Sequence, residues 1–233
     1  MSEVLKTLNY EAPKENYAHL TLAQDLVRFI ASNTDPVVTA FWLTNPDVYV
    51  CGGVMRAFYS GQHNREEVVK DIDLYFANQS VFELFADTMK KNGYEPSFES
   101  ERAITYKSKQ EDGPAIQAIK FVMGTIEEVL GEFDFTIVKC GANSSEIVMH
   151  NNFSDDLASS VLVYCGSRLP LSSLNRAFKY TARGYWLPAV QMLAILTDIS
   201  ESLDLANLEQ VLYHLESFDP NAIQDIEIIE NAT

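Results

Sequence analysis

The chain has 233 residues, of which 47% are hydrophobic and 21% charged, a composition typical of a globular protein with a substantial core. Its formal net charge of −16 argues against a broad basic surface for long nucleic acid. Three scattered cysteines and four histidines give little support for a disulfide framework or a zinc site. Because the sequence has no run resembling a signal peptide or membrane span, we expect a cytoplasmic protein with reduced cysteines and no membrane partner.

The N-terminal third combines a helix with a strand, a glycine turn and a second helix. Apolar residues at helical spacing predict a helix over residues 17–31. The β-rich run VYVC then ends at the pair Gly52-Gly53, and residues 54–60 have the pattern of the first turns of a helix.

Further strands and helices follow, and the last part of the chain is helical. The segments DIDLYF, ERAITYK, AIQAIKFV and FDFTIVKC predict strands. Capping boxes at residues 80–83 and 125–128 predict the starts of two helices. Later helices are predicted near residues 170–183, 187–198 and 207–217. We therefore expect the α+β class, with a small mixed sheet flanked by helices in domain 1–165 and a helical C-terminal part in 166–233.

Acidic residues in two of the predicted strands are candidates for metal ligands. Asp71 and Asp73 alternate with apolar residues, so both side chains point to the same face of their strand. Asp134, within FDFTI, is also flanked by apolar residues. Aspartates embedded in strands are costly without a partner, and carboxylates hold the two Mg²⁺ ions of many phosphoryl-transfer sites. The alternative is an exposed edge strand that carries its charges outward.

The glycine pair has the features of an anion site. Without Cβ atoms at Gly52 and Gly53, backbone N–H groups can approach a phosphate, and the start of a helix favours negative charge. Arg56, in the first turn of that helix, is placed to reach the same anion. The alternative is a tight strand–helix turn with no ligand.

Taken together, Gly52-Gly53-Val-Met-Arg56, a spacer and Asp71-Ile-Asp73 resemble the signature of the DNA polymerase β-like nucleotidyltransferases, most of all the head region of CCA-adding enzymes and bacterial poly(A) polymerases. The resemblance covers residues 47–140 well. It implies that Asp71, Asp73 and Asp134 are catalytic and bind two Mg²⁺ ions. It also implies that Gly52, Gly53 and Arg56 hold the phosphates of ATP or CTP.

The resemblance leaves the acceptor open. A nucleoside monophosphate would go to an RNA 3′ end, a protein side chain or a small molecule. The arginine is followed by Ala57 rather than the acid common in that family, and the residues after the helical segment are too few for RNA-gripping domains. Such stand-alone heads resemble proteins of bacteria and their phages.

The segment PLSSLNRAFKYTARGYW carries the concentrated basic face of this acidic chain. Arg176, Lys179 and Arg183 follow helical spacing, and Ser172 extends the stripe. The stripe is either a solvated face or, as the resemblance implies, part of the nucleotide site. Lys120 in AIQAIKFV is a further candidate nucleotide ligand, with simple exposure as the alternative. Aromatic residues in and after this helix either belong to a core or stack on a base, namely Tyr180, Tyr185 and Trp186.

Two other classes of protein stay open. The same fold can serve as a non-catalytic nucleotide-binding or protein-interaction module, although all three predicted carboxylates are present. An acidic structural or decoy protein is the other alternative, and it predicts that the three carboxylates do not converge.

Overall fold

The computed structural model describes residues 12–63, 67–204, 207 and 210–211. Contacts along the chain divide it into two compact units. One unit is Glu15–Ser159, and the other contains the described residues on either side of that range. The division falls close to the domain boundary predicted at residues 165 and 166, which stays a prediction.

The first unit alternates strands and helices along the chain. Its strands are β1 Tyr17–Thr21, β2 Val48–Cys51, β3 Asp71–Phe76, β4 Pro96–Glu99, β5 Ala103–Tyr106, β6 Ala115–Met123, β7 Cys140–Ala142 and β8 Glu146–His150. Its helices are α1 Gln24–Ser32, α2 Pro36–Thr44, α3 Gly53–Gln62, α4 Gln79–Lys91, α5 Ile126–Gly131 and α6 Phe153–Ser159, with a 3₁₀ turn at Thr136–Val138.

The strands form one mixed eight-stranded sheet in the order β1-β8-β7-β2-β3-β6-β5-β4. Strands β3 and β6 pair in parallel, whereas the other neighbours are antiparallel. Strand β3 therefore lies near the centre, with β2 on one side and β6 on the other. A parallel pair needs a long crossover, and here α4, β4 and β5 supply it.

One face of the sheet is covered by helices at its central strands. Ile72, Leu74 and Phe76 of β3 point to this face and are completely buried. The ring of Phe76 packs against Phe85 of α4 with centroids 5.4 Å apart. Trp42 of α2 is also fully buried, and its indole N–H donates to the carbonyl of Ala142 at 3.0 Å. This face holds much of the hydrophobic core of the first unit.

The opposite face is only partly covered. Helix α5 closes one end of it, where its apolar residues join side chains of the central strands in a second core cluster of Tyr49, Cys51, Tyr75, Ile119, Val122, Ile126, Val129, Leu130 and Val148. The start of β3 lies outside that cluster, and Asp71 and Asp73 there are half-buried. The fold thus leaves the aspartate end of the central strand partly open.

The second unit contains two further helices, α7 Pro170–Thr181 and α8 Ala189–Ser202, which pack on each other. A short bridge joins Val161 to Trp186. The side chain of Gln191 accepts a hydrogen bond from the backbone of Tyr164 at 2.8 Å. The predicted helices near 170–183 and 187–198 are confirmed, and the one predicted near 207–217 lies largely outside the described residues.

Several predicted elements differ from the structure. Residues 17–21 form strand β1, paired antiparallel with β8, and the helix begins only at Gln24. Helix α4 is capped by Asn78, whose side chain accepts from the backbone of Val81, so the predicted capping box at residues 80–83 is wrong. The capping box at Thr125 and Glu128 is confirmed.

The α+β class is confirmed, and the sheet is larger than expected because β1, β7 and β8 extend it beyond β2. Cys51, Cys140 and Cys165 are free thiols. Within the described part of the chain, no helix has the length and apolarity needed to cross a membrane.

Candidate functional site

Asp71 and Asp73 are the first and third residues of the central strand β3. Because side chains alternate along a strand, they share one face, while Ile72 and Leu74 anchor the strand in the core on the other. In the parallel ladder with β6, Asp71 lies opposite Ala115 and Asp73 opposite Gln117. The predicted strand and the predicted face are both present.

The electrostatics of this pair are unfavourable without a cation. Neither carboxylate takes part in a side-chain hydrogen bond or ion pair with any described residue. Burial, followed by the like charge of Asp71, raises the pKa of Asp73 from 3.8 to about 7. Two neighbouring carboxylates with no partner are thus held together on a half-buried surface.

The aspartate pair fits Mg²⁺ as a ligand. This ion is commonly held by one or two carboxylates together with the phosphate oxygens of a substrate and water. Among the described residues, no group of three or more histidine, cysteine, aspartate or glutamate side chains is placed to hold a metal ion. Metal binding by Asp71, Asp73 and Asp134 together stays a prediction, and the described geometry supports the pair as the ligands that share one face.

The glycine turn lies beside the aspartates. Val50 of β2 is opposite Leu74 of β3, so the antiparallel register brings the end of β2 next to the start of β3. Gly52 follows β2 with φ 74°, a conformation that favours glycine, and an added Cβ would lie 2.9 Å from the ring of Phe133. Glycine is thus required at Gly52 by the backbone and by a close contact.

The two glycines differ in what they offer a phosphate. The N–H of Gly52 donates to the carbonyl of Cys140 at 3.0 Å, so it is already used within the sheet. Gly53 begins helix α3, and the first N–H groups of a helix have no partner inside it. No atom lies within 4 Å of a Cβ added at Gly53. Gly53 and the N-terminus of α3 are therefore the part of the turn with N–H groups open to an anion, and nucleotide binding by Gly52 and Gly53 stays a prediction.

Arg56 is buried and already paired. Its Nε and Nη2 atoms both lie 2.8 Å from Oε2 of Glu67, and Ser60 donates to the other oxygen of that carboxylate at 3.0 Å. Glu67 comes from the chain between α3 and β3. It stands between Glu66 and Val68 in the sequence and carries no pattern that would identify it. In this structure Arg56 anchors that connection, and its role as a phosphate ligand stays a prediction.

Asp134 is buried and lies in a bend of the chain. The strand predicted over FDFTIVKC is therefore largely wrong. Residues 136–138 form a 3₁₀ turn, and only Cys140–Ala142 pair as strand β7. Its neighbour Phe133 contacts Gly52, which brings this segment to the glycine turn. A role for Asp134 in catalysis or metal binding stays a prediction.

Lys120 lies on β6, which pairs with β3 on one side and β5 on the other. Neither of these strands carries Asp134. Its ammonium group is 2.5 Å from Oε1 of Glu99 and 3.1 Å from the carbonyl of Ser100. These contacts tie Lys120 toward the β4 edge of the sheet. Its assignment to the nucleotide stays a prediction.

The predicted basic stripe belongs to the second unit and is uneven. Ser172 is buried, and Arg176 is half-buried with Nη2 at 3.4 Å from Oγ of Ser173. Lys179 is exposed, as is Arg183, which lies beyond the end of α7. Their assignment to a nucleotide stays a prediction.

The aromatic residues near this stripe divide into two groups. Tyr180 and Tyr185 are buried in an edge-to-face pair with centroids 5.9 Å apart, as the core interpretation predicts. Trp186 is 65% exposed, so the same interpretation is wrong for it.

Three polar residues that the sequence did not single out lie on the β6 and β5 side of the aspartates. Gln117 is opposite Asp73 on β6, and Thr105 of β5 is opposite Gln117. Lys107 directly follows β5, whose last pair is Tyr106 opposite Ile116. An extension of that register by one residue would set Lys107 opposite Ala115, the β6 partner of Asp71. We call Thr105, Lys107 and Gln117 the β5–β6 polar row. Their alternation with apolar residues in AITYK and AIQA is the signal that could have found them.

Solved structures share this fold. The Thermotoga maritima CCA-adding enzyme complexed with tRNA has a TM-score of 0.56 at 16% identity, over 95% of this chain and 55% of that chain. A CCA-adding enzyme complexed with ATP gives 0.59 at 17% identity, over 84% and 51%, and a complex with CTP gives 0.56 at 17%, over 89% and 53%. This chain spans about half the length of these enzymes.

The fold is therefore that of a nucleotidyltransferase, and the resemblance predicted from the glycine and aspartate segments is confirmed at this level. Residues 21–160, more than half of the chain, match the model of Gad2, the Gabija anti-defense 2 family. The chain belongs to this family. No curated protein shows a significant match to it.

Proposed function

We propose that this protein is a Mg²⁺-dependent nucleotidyltransferase that transfers a nucleoside monophosphate from ATP or CTP to an acceptor hydroxyl. The observation that carries the proposal is the aspartate pair. Asp71 and Asp73 lie unpartnered on the central strand of a nucleotidyltransferase fold, beside the glycine turn and the N-terminus of α3. A pair of like charges in such a place is explained by a divalent cation.

Each part of the site has a role in this reaction. Asp71 and Asp73 would hold Mg²⁺, which supplies charge stabilisation at the transferred phosphoryl group when it is bound. Gly53 and the helix N-terminus would hold the leaving phosphates. The acceptor oxygen bonds to the α-phosphorus as the bond to the bridging oxygen breaks. The electron pair leaves with pyrophosphate, and the hydroxyl proton passes to solvent.

Related proteins support the choice of donor and target. CCA-adding enzymes have been solved with ATP, with CTP and with tRNA, which supports a nucleoside triphosphate as donor and keeps an RNA 3′ end among the acceptors. The family description, Gabija anti-defense, supports an acceptor within that defence system. A small molecule or a protein side chain would serve this role as well as RNA.

A second candidate is a nucleotide-binding or protein-interaction module without catalysis. Two observations favour it: the described residues contain no three-ligand metal group, and Arg56 is already held by Glu67. This candidate predicts binding to a Gabija component without release of pyrophosphate.

The first test is calorimetric binding of ATP and CTP with and without Mg²⁺. The parent is expected to bind at least tenfold more tightly with Mg²⁺, and the double variant Asp71→Asn/Asp73→Asn to lose that gain. Asp87→Asn, on the exposed side of α4, is the matched control and should behave as the parent. The catalytic proposal is wrong if Mg²⁺ adds nothing to binding by the parent.

The second test identifies the acceptor. The protein is incubated with α-labelled ATP or CTP and with extracts of cells that do or do not express a Gabija system. Label should enter a macromolecule or metabolite with the parent and with Asp87→Asn, but not with the double variant. Tight Mg²⁺-dependent binding without any label transfer would favour the non-catalytic candidate.

A further inference from the structure

The geometry of phosphoryl transfer places the acceptor on a particular side of the aspartate pair. The attacking and leaving oxygens lie roughly in line across the transferred phosphorus. In the proposed function, on which this inference rests, the leaving pyrophosphate is held by Gly53 and α3, on the β2 side of β3. The acceptor hydroxyl must then arrive from the opposite side, over β6 and β5.

That side carries the β5–β6 polar row. The three strands have the same alternation of half-buried and buried residues, so Asp73, Gln117 and Thr105 share the incompletely covered face. Among the described residues, no side-chain partner engages Thr105, Gln117 or Lys107. Polar side chains inside a protein usually find partners, so the half-buried and unengaged Thr105 and Gln117 are placed to meet a ligand, and the exposed Lys107 extends the row toward solvent.

The chemistry of the row indicates a small anionic acceptor. Thr105 and Gln117 both donate and accept hydrogen bonds, as a sugar hydroxyl or a base edge requires. Lys107 supplies one positive charge two strand spacings, about 10 Å, from the strand of Asp71. That span suits one nucleotide. Longer nucleic acid would need several cations, and the chain carries a net charge of −16.

We propose that the β5–β6 polar row is the acceptor subsite, and that it takes a nucleoside monophosphate unit with its ribose hydroxyl at Asp71 and Asp73 and its phosphate at Lys107. The unit is either a free nucleotide or the terminal nucleotide of a short oligonucleotide. In the reaction, the ribose oxygen bonds to the α-phosphorus of the donor, and pyrophosphate leaves with the electron pair of the broken bond. Thr105 and Gln117 orient the sugar and base.

The test compares acceptors that differ in their phosphate. Initial rates of pyrophosphate release are measured from ATP and CTP with adenosine 5′-monophosphate, a short oligoribonucleotide or adenosine as acceptor. Lys107→Ala should raise KM for the two phosphate-bearing acceptors tenfold or more, while KM for adenosine and for the donor stays within twofold. Gln117→Ala should raise KM for all three acceptors. Lys90→Ala, on the exposed surface of α4, is the matched control.

The outcomes separate this inference from the proposed function. Preference for the mononucleotide or for the oligoribonucleotide identifies the source of the phosphate unit, and either supports the subsite. Equal effects of Lys107→Ala on adenosine and on its monophosphate overturn it. The subsite is also overturned if the parent protein binds the donor with Mg²⁺ and labels a protein but uses none of the three acceptors. A parent without Mg²⁺-dependent donor binding overturns the proposed function as well.

Discussion

At the scale of single residues, the half-buried carboxylate of Asp73 lowers the free energy of unfolding when it is ionised. Its carboxyl has a pKa of about 7 in the folded protein and about 3.8 in the unfolded chain, because burial and the charge of Asp71 disfavour ionisation. The folded state therefore binds more protons between these pH values. The contribution of Asp73 to the free energy of unfolding therefore falls as the pH rises from about 4 to about 7.

We predict that Asp73→Asn is more stable than the parent at pH 8, by on the order of 2–4 kcal/mol, and similar to it near pH 3.5. Urea unfolding at both pH values, with chelator present, measures the difference. Mg²⁺ at pH 8 should stabilise the parent and leave the variant unchanged. A stability difference between variant and parent that does not depend on pH would show that ionisation of Asp73 does not destabilise the folded protein.

The two glycines of the turn should respond differently to the same substitution. Gly52→Ala introduces a side chain at φ 74° and 2.9 Å from Phe133, so we predict a loss of about 2–4 kcal/mol in the free energy of unfolding. Gly53→Ala meets no atom within 4 Å and should change stability by less than about 1 kcal/mol.

Gly53→Ala is also a test of the anion site, because its methyl group would stand where the backbone approaches a phosphate. Its affinity for Mg²⁺-bound nucleotide should fall despite normal stability, as calorimetry can show. An unchanged affinity would move the phosphates away from this turn.

At the scale of elements, buried Asp35 connects three parts of the first unit. It stands at the start of α2, yet its side chain does not cap that helix. Instead its carboxylate accepts from Tyr94 Oη at 2.8 Å, from Ser108 Oγ at 3.0 Å and from the backbone N–H of Lys109 at 3.0 Å. The β5–β6 connection is thereby fixed next to the residue Lys107.

We predict that Asp35→Ala lowers the free energy of unfolding by about 3 kcal/mol or more, because three donors lose a buried acceptor. Tyr94→Phe removes one of these hydrogen bonds and should cost about 1 kcal/mol. Urea unfolding at neutral pH compares the two. Equal losses for both variants would mean that Asp35 is not the centre of this network.

The elements that sequence patterns missed have a common cause. Residues 17–21 pair with β8, and the partner strand lies more than 100 residues away in the chain. The apolar spacing that predicted a helix over 17–31 comes from α1 itself, whose buried residues Leu26 and Ile30 lie after residue 21. An edge strand depends on its partner more than on its own periodicity.

At the scale of the whole molecule, the sheet and both of its cores lie within Glu15–Ser159. A unit of this size can bury enough apolar surface to fold by itself. It also contains nearly all of the segment that matches the Gad2 family.

We predict that a fragment of residues 12–159 folds cooperatively. A single urea transition, followed by circular dichroism and by tryptophan fluorescence from Trp42, should appear with coincident midpoints. The full chain is the control. A fragment without a cooperative transition would show that the first unit requires the rest of the chain.

The sequence by itself determined where the aspartate pair and the glycine turn lie on their local elements. The alternation in DIDLYF placed two carboxylates on one face of a strand, and the glycine pair marked the turn before a helix, because both patterns are local and depend on backbone geometry alone. These local patterns were sufficient to indicate a nucleotidyltransferase fold.

Only the tertiary structure decided which groups meet. It paired Arg56 with Glu67, moved Lys120 toward Glu99 and left Asp134 outside any strand. It also placed Gln117 beside Asp73 and Thr105 beside Gln117, through the register of β3, β6 and β5. Contacts of this kind follow from strand order and loop paths, which depend on the packing of the whole unit and leave no local pattern in the sequence.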